Sequence, residues 1–320
     1  MSLTLALVYL AVGFVLLVWS ADRLVAGASA LARNFGVSAL VVGVTIVGFG
    51  TSAPEMVVST LASLEGNPSL AIGNALGSNI ANIGLILGLT GLIYPMSVER
   101  SATRREIPML AAVTVLTAIL MLDGAFSRFD GVVLFGGLIA FLFAMLLRGR
   151  HSDSMDAATE ALLSEIAEAM PTRTAVIWTV VGLVVLPLSA KILVDGAVGL
   201  ASLMGVSEAV IGLTVVALGT SLPELAAAIA SAVRKEDDLC IGNILGSNLF
   251  NLLGVLGIAA LIHPMIIEPI LIRRDLPVMA GMFVLLALMA VFFGKVGRIS
   301  AGILLTSYVA YQVVVLAEAL

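Results

Sequence analysis

GTSAPE at positions 50–55 and GTSLPE at positions 219–224 each stand inside an apolar stretch that otherwise reads as a helix crossing a lipid bilayer. Ser52-Ala-Pro-Glu55 has the form of a capping box, with serine as N-cap, proline in the first turn and glutamate at the third helical position. A cap contributes about 1 kcal/mol. An acidic side chain near the middle of a span is disfavoured by about 2.5 to 3.5 kcal/mol on insertion scales. Capping alone therefore does not account for Glu55 or Glu224. Pro54 and Pro223 have no N–H for the carbonyls of Gly50 and Gly219, and each biases the residue before it away from helical angles. The second span is predicted to break into half-helices around residues 50–53, with the equivalent break around Gly219. Unwound backbone at membrane depth is tolerated only where it is buried in protein or lines a cavity. Carbonyls, hydroxyls and a carboxylate in one place form a hard-oxygen ligand set suited to Na⁺ or Ca²⁺.

The composition around these motifs is that of an integral membrane protein: 60% of the 320 residues are hydrophobic and 12% charged, with a mean hydropathy of +1.15. Apolar runs of spanning length fall at about 3–31, 37–64, 70–93, 107–122, 129–147, 174–201, 207–233, 239–262, 275–293 and 299–317. Strand-like alternation is missing and the runs exceed barrel-strand length, so the predicted fold is an all-α polytopic membrane protein with ten transmembrane helices. No basic stripe with interleaved aromatics points to nucleic acid. Cys240 stands alone, which excludes an intrachain disulfide and reads as packing. Of the sixteen Lys and Arg residues, eleven fall on one side when the spans are strung alternately: Arg33, Arg100, Arg104, Arg105, Arg148, Arg150, Arg173, Arg234, Lys235, Lys295 and Arg298. Arg128, Arg273 and Arg274 fall on the other, and Arg23 and Lys191 lie within spans, which puts both termini outside and the loop 148–173 in the cytoplasm.

Displaced by 169 residues, the sequence lies on itself without a gap from about residue 36 to 108. GVTIVGFGTSAPE (43–55) meets GLTVVALGTSLPE (212–224) with eight identities in thirteen, and IGNALGSNIAN (72–82) meets IGNILGSNLFN (241–251) with eight in eleven. The chain thus divides into a first repeat over 1–147, a cytoplasmic linker over 148–173 and a second repeat over 174–320. Five spans per repeat reverse the second copy relative to the first, giving two inverted five-helix repeats with broken helices two and seven. AGASA at 26–30 resembles a signal-peptidase site. Its span corresponds to 174–201 in mid-chain, however, and is kept as structure. The acidic linker lacks the spacing of a calcium loop and reads as a solvated segment with a short helix.

Asn74, Ser78 and Asn82 share one helix face, as do Asn243, Ser247 and Asn251. They offer oxygen ligands opposite Glu55 and Glu224, or hydrogen bonds between helices. Asn79 and Asn248 lie off that face and are assigned a structural role. Gly73 with Gly77, and Gly84 with Gly88, form small surfaces that let helices approach closely. Two carboxylates are neutralised by one Ca²⁺ or by two Na⁺, and a third Na⁺ leaves one net positive charge. A site filled by calcium or by several sodium ions, but not both, is the physical basis of antiport.

The doubled pair GTSxPE and GNxxGSNxxN closely resembles the two α-repeats of the cation/calcium exchanger superfamily, and the whole chain resembles a bacterial sodium/calcium antiporter. The resemblance implies a secondary transporter of the cell (inner) membrane with no cofactor, carrying Na⁺ and Ca²⁺ as substrates. It also implies a core of spans two, three, seven and eight, with spans one and six sliding as a long tilted pair. Its ion ligands, carried over by position, are Thr51, Ser52, Glu55, Ser78 and Asn82 with Thr220, Ser221, Glu224, Ser247 and Asn251, plus main-chain oxygens near Gly48 and Ala217. Some relatives have aspartate where this chain has Asn251, which weakens the case for potassium cotransport. The resemblance gives no obligate protein partner beyond the bilayer. A proton/calcium antiporter is the nearest rival. A passive channel suits two buried acids less well, and a serine hydrolase lacks a histidine base near Ser52 or Ser221, since His151 and His263 lie in loops.

Overall fold

The computed structural model describes residues 2–149, 170–204 and 217–319. Within them the chain is helical apart from four two-residue strands and short connections. Span one is Leu3–Phe35. Span two is Ala39–Thr51 followed by Ala53–Leu64, bent by 44° at Ser52. Span three runs from Pro68–Ala81 through Asn82–Leu87 to Gly88–Ile93. Spans four and five are Glu106–Met121 and Arg128–Gly149. Span six is Thr172–Leu203. The described part of span seven is Ala217–Gly219 and Leu222–Val233. Span eight is Asp237–Ile262, span nine Leu271–Phe293 and span ten Arg298–Ala319. The predicted helix of the linker falls within 150–169, and the start of span seven within 205–216, both outside the described residues.

Seven of these helices are long and apolar enough to cross a bilayer by themselves, and the bent pair of span two makes an eighth. The other two, Glu106–Met121 and Leu222–Val233, are shorter. Spans three and eight form the interior: 72% and 89% of their most apolar windows are buried, against 22% in span one and 17% in span ten. Those outer spans turn exposed Leu, Val and Phe side chains outward, as surfaces facing lipid do.

The inversion of the repeats is visible in how the loops meet. β1 (Met96–Ser97), after span three, pairs antiparallel with β4 (Lys295–Val296), before span ten. β2 (Ala125–Phe126), between spans four and five, pairs with β3 (Met265–Ile266), after span eight. Displacement by 169 carries Met96 onto Met265, so each ribbon joins one strand from each repeat. Span four separates the two ribbons, which therefore close opposite ends of the bundle. The β1–β4 end also gathers the loop contacts Arg33–Glu236 (3.2 Å), Arg234–Asp22 (2.6 Å) and Ser97 N to Asp237 Oδ2 (2.9 Å).

Spans one and six lie against each other about the same two-fold relation. Ser20 and Ser189, equivalent by the 169-residue displacement, approach to 3.3 Å through their hydroxyls. Small residues seven positions to either side bring the backbones together. A Cβ on Gly13 would lie 2.6 Å from Leu193 N, and one on Gly182 would lie 2.5 Å from Leu24 Cβ, the repeat equivalent of Leu193. Trp19 and Trp178 meet edge to face, and the Arg23 guanidinium stacks 4.8 Å from the Trp178 ring centre. Arg23 thus finds an aromatic partner on span six. Lys191 and Asp195, four apart on span six, form an exposed pair at 2.7 Å.

Span eight meets span two with equal closeness. A Cβ on Gly246 would lie 2.3 Å from Val44 O, and one on Gly242 2.5 Å from Leu40 O. Gly84 and Gly88 are set just as tightly against span ten, at Tyr308 and Leu305. By the repeat, the counterparts for Gly73 and Gly77 fall at 209–213, outside the described residues. Because the atoms opposing Gly246 are backbone and cannot rotate away, Gly246→Val is expected to destabilise the protein by about 1–3 kcal/mol or more. The check is a lowered thermal unfolding midpoint in detergent; an unchanged midpoint would contradict the packing.

Candidate ion-binding site

The break in span two falls at Ser52, whose φ of −83° and ψ of 3° leave the helix while Ala53 and Pro54 already begin the next one. The displaced residue is therefore Ser52, one position before the residue that the proline was expected to disturb. Span seven breaks alike at Ser221, with φ −90° and ψ 6°. Neither serine hydroxyl caps its helix, so the capping-box reading of GTSAPE does not hold. The Ser52 hydroxyl instead crosses to the other repeat and donates to Glu224 Oε1 at 3.2 Å. Ser221 Oγ is buried with no partner among the described residues.

Glu55 and Glu224 are each 1% exposed and lie within electrostatic reach of each other. Both carboxylate oxygens of Glu55, and Oε2 of Glu224, have no hydrogen-bond partner among the described residues. Two like charges held dry, with three of their four oxygens lacking a donor among the described residues, are strongly unfavourable unless cations or protons neutralise them. Arginine and lysine do not do so here: no ion pair to either glutamate occurs among the described residues.

The polar stripes of spans three and eight complete the surroundings, in two different roles. The Thr51 hydroxyl donates to Asn243 Oδ1 at 3.1 Å and lies 3.3 Å from Ser247 Oγ. Asn74 donates to the backbone oxygen of Glu55 (3.2 Å) and to Ser59 Oγ (2.9 Å). Asn74 and Asn243 are therefore interhelical hydrogen-bonding residues that hold span two. Ser78, Asn82, Ser247 and Asn251 are all buried. Asn82 has both amide atoms unpartnered among the described residues, as is Oδ1 of Asn251. Thr220 is half-buried at the span-seven break.

Three of the four π-turns among the described residues lie in the spans that carry the proposed ligands. Wide π-turns occur at Gly43–Val47, just before the GTSAPE break, at Asn82–Leu87 and at Phe250–Val255. The last two include the equivalent residues Asn82 and Asn251. Such turns occur frequently at functional sites. The main-chain oxygen of Gly48 accepts from Ser52 N at 3.1 Å and from the Thr51 hydroxyl at 3.4 Å. In span seven the Ser221 amide reaches Leu218 O at 3.2 Å, a tighter turn. Among the described residues no three His, Cys, Asp or Glu side chains come together. What the ten sequence-predicted residues provide is two carboxylates among hydroxyl and amide oxygens, drawn from both repeats.

The family model for sodium/calcium exchanger proteins matches residues 5–147 and 174–317. The chain belongs to the sodium/calcium exchanger family. It is 43% identical to inner membrane protein YrbG of Escherichia coli, over 89% of this chain and 88% of that protein. It is 30% identical to sodium/calcium exchanger MaX1 of Methanosarcina acetivorans, over 98% of this chain and 99% of that one. Its fold matches the solved sodium-calcium exchanger NCX_Mj with a TM-score of 0.84 at 34% identity, covering 97% and 98% of the two chains. The chain is thus a multi-pass membrane transporter of the exchanger family and not an enzyme, and the ten-helix inverted repeat is consistent with that exchanger fold. The family's cargo is Na⁺ and Ca²⁺, and no cofactor is needed.

Asn79 is the residue near the site whose part was underread from sequence. It stands off the 74–78–82 face, yet its amide oxygen accepts from Asn251 Nδ2 at 3.1 Å. Its identity with Asn248 inside the doubled motif was the available signal.

Proposed function

We propose that this chain is a secondary antiporter that exchanges Na⁺ for Ca²⁺ by alternating access. The ions bind near the bilayer midplane between Glu55 and Glu224, with Thr51, Ser52, Ser78, Asn82, Thr220, Ser221, Ser247, Asn251 and main-chain oxygens at the two helix breaks. The observation that carries the reading is the pair of buried glutamates, three of whose four carboxylate oxygens have no partner among the described residues. Oxygens so placed have lone pairs free, among the described residues, to meet a cation, and two such carboxylates match one Ca²⁺ or two Na⁺ in charge. The names of MaX1 and NCX_Mj, both sodium/calcium exchangers, point the same way. In this proposal the closely packed pair of spans one and six moves as a unit past the breaks. Span six touches both of them: Gly50 faces Leu183 and Gly219 faces Val194 at distances that leave no room for a Cβ.

The test is calcium uptake by proteoliposomes loaded with Na⁺ and diluted into Na⁺-free, K⁺-free medium. Uptake dependent on internal Na⁺ is expected; equal uptake without it would defeat sodium coupling.

We further propose that the protein lies in the cell (inner) membrane with the β1–β4 end in the cytoplasm and both termini outside. That end carries most of the Arg and Lys residues in the loops. An impermeant thiol reagent applied to intact cells is expected to label Glu65→Cys and to spare Ser154→Cys. The reverse pattern would turn the protein over in the membrane.

A further inference from the structure

We propose that Asn79 is a positioning residue that fixes the amide of Asn251 with its oxygen available to the ion site. The inference rests on the ion-site reading above and adds a residue to it. A backbone carbonyl can only accept, and the Asn79 amide lies 3.4 Å from Asn248 O. The atom of Asn79 facing that carbonyl must therefore be nitrogen, which leaves the Asn79 oxygen on the other side. That oxygen is 3.1 Å from the Asn251 amide. An oxygen cannot donate, so Asn251 must turn its NH₂ toward Asn79 and its Oδ1 away. Oδ1 of Asn251 is buried and unpartnered among the described residues. The choice matters because an amide presents a cation with either a ligand or a pair of repelling N–H groups. Asn79 and Asn251 are 1% and 0% exposed, so water does not readily substitute for either partner.

The second repeat's counterpart of Asn79 does not do the same work. Asn248 donates within its own helix, to Ile244 O at 2.7 Å. Asn82, the counterpart of Asn251, has neither amide atom partnered among the described residues. Positioning is thus built into one half of a site whose sequence is repeated in both, which supplies an internal control.

Calcium uptake kinetics in proteoliposomes test this. Asn79→Ala removes the acceptor and frees the Asn251 amide to rotate; the half-saturating Ca²⁺ concentration is expected to rise about ten-fold. In an Asn251→Ala background the same change is expected to have no further effect, because the group it orients is gone. Asn248→Ala, whose side-chain amide donates within its own helix, is expected to leave half-saturation unchanged. An equal loss from Asn79→Ala in both backgrounds would show general structural damage and overturn the proposal, as would unaltered affinity in Asn79→Ala. If Asn251→Ala itself leaves calcium affinity unchanged, the ion-site reading fails at Asn251. If Asn251→Ala weakens affinity while Asn79→Ala is silent, only the positioning proposal fails.

Discussion

Glu55→Gln and Glu224→Gln are each expected to abolish exchange while leaving a folded, membrane-inserted protein. Glutamine keeps the size and shape of the side chain but supplies no charge, so a divalent ion between the remaining ligands would leave one positive charge unbalanced in a dry site. Several kcal/mol are lost when a buried charge loses its partner, and about 3 kcal/mol already corresponds to more than a hundred-fold in affinity. Folding should not suffer in parallel. Glu55 donates to and accepts from no side chain among the described residues, and the bond from Ser52 to Glu224 Oε1 can be kept by an amide oxygen. Removing an unpaired buried carboxylate also removes its desolvation penalty, so thermal stability without ions should hold or rise. Radioactive calcium uptake beside size-exclusion profiles checks both halves. Near-normal flux in either variant would sink the proposed site, and loss of the folded peak would leave the carboxylate with a structural role in place of an ion-binding one.

Much of this site was legible because its chemistry conflicts with its surroundings. Glutamate and proline inside an apolar span are unfavourable enough to require a reason, and the 169-residue displacement shows the same conflict twice. The breaks accordingly fall at Ser52, inside the predicted 50–53, and at Ser221, two residues after Gly219. What was not legible depends on contacts between repeats. The capping-box pattern at Ser52 is equally consistent with a local bond to its own helix; only the neighbouring span shows that the hydroxyl reaches Glu224. The stripe of Asn74, Ser78 and Asn82 is continuous in sequence, yet Asn74 turns to Glu55 O and Ser59 while the Asn82 amide has no partner among the described residues. The π-turns at 82–87 and 250–255 have no sequence signature, and each adds a residue to its helix turn beyond the 3.6-residue period on which face assignments rest.

The identity of the driving ion is expected to follow from the same inventory of charges. Asn251 places a neutral amide in the second repeat at the position where some relatives have aspartate. Two glutamates are then the only acidic side chains among the ten proposed ligands. With two negative charges, a calcium-loaded site is neutral and a site loaded with three sodium ions carries one positive charge. Exchange of three Na⁺ for one Ca²⁺ therefore moves one net charge, and a membrane potential of 100 mV acts on it with about 2.3 kcal/mol. Vesicles holding Na⁺ and diluted into Na⁺-free medium should accumulate calcium without K⁺, and an inside-negative potential should slow that uptake by holding back the extra positive charge that leaves. The sign is fixed by the stoichiometry: three positive charges leave while two enter, so an inside-negative potential retards uptake and an inside-positive one accelerates it. Electroneutral exchange of two Na⁺ for one Ca²⁺ would show no response. Protons compete for the same two carboxylates, because a protonated glutamate balances no cation, so acid medium should inhibit without a proton gradient replacing sodium. The deciding condition is a pH gradient in Na⁺-free medium with the potential held by a potassium-independent method. No calcium accumulation is expected there, and strong accumulation would assign the two glutamates to proton/calcium exchange.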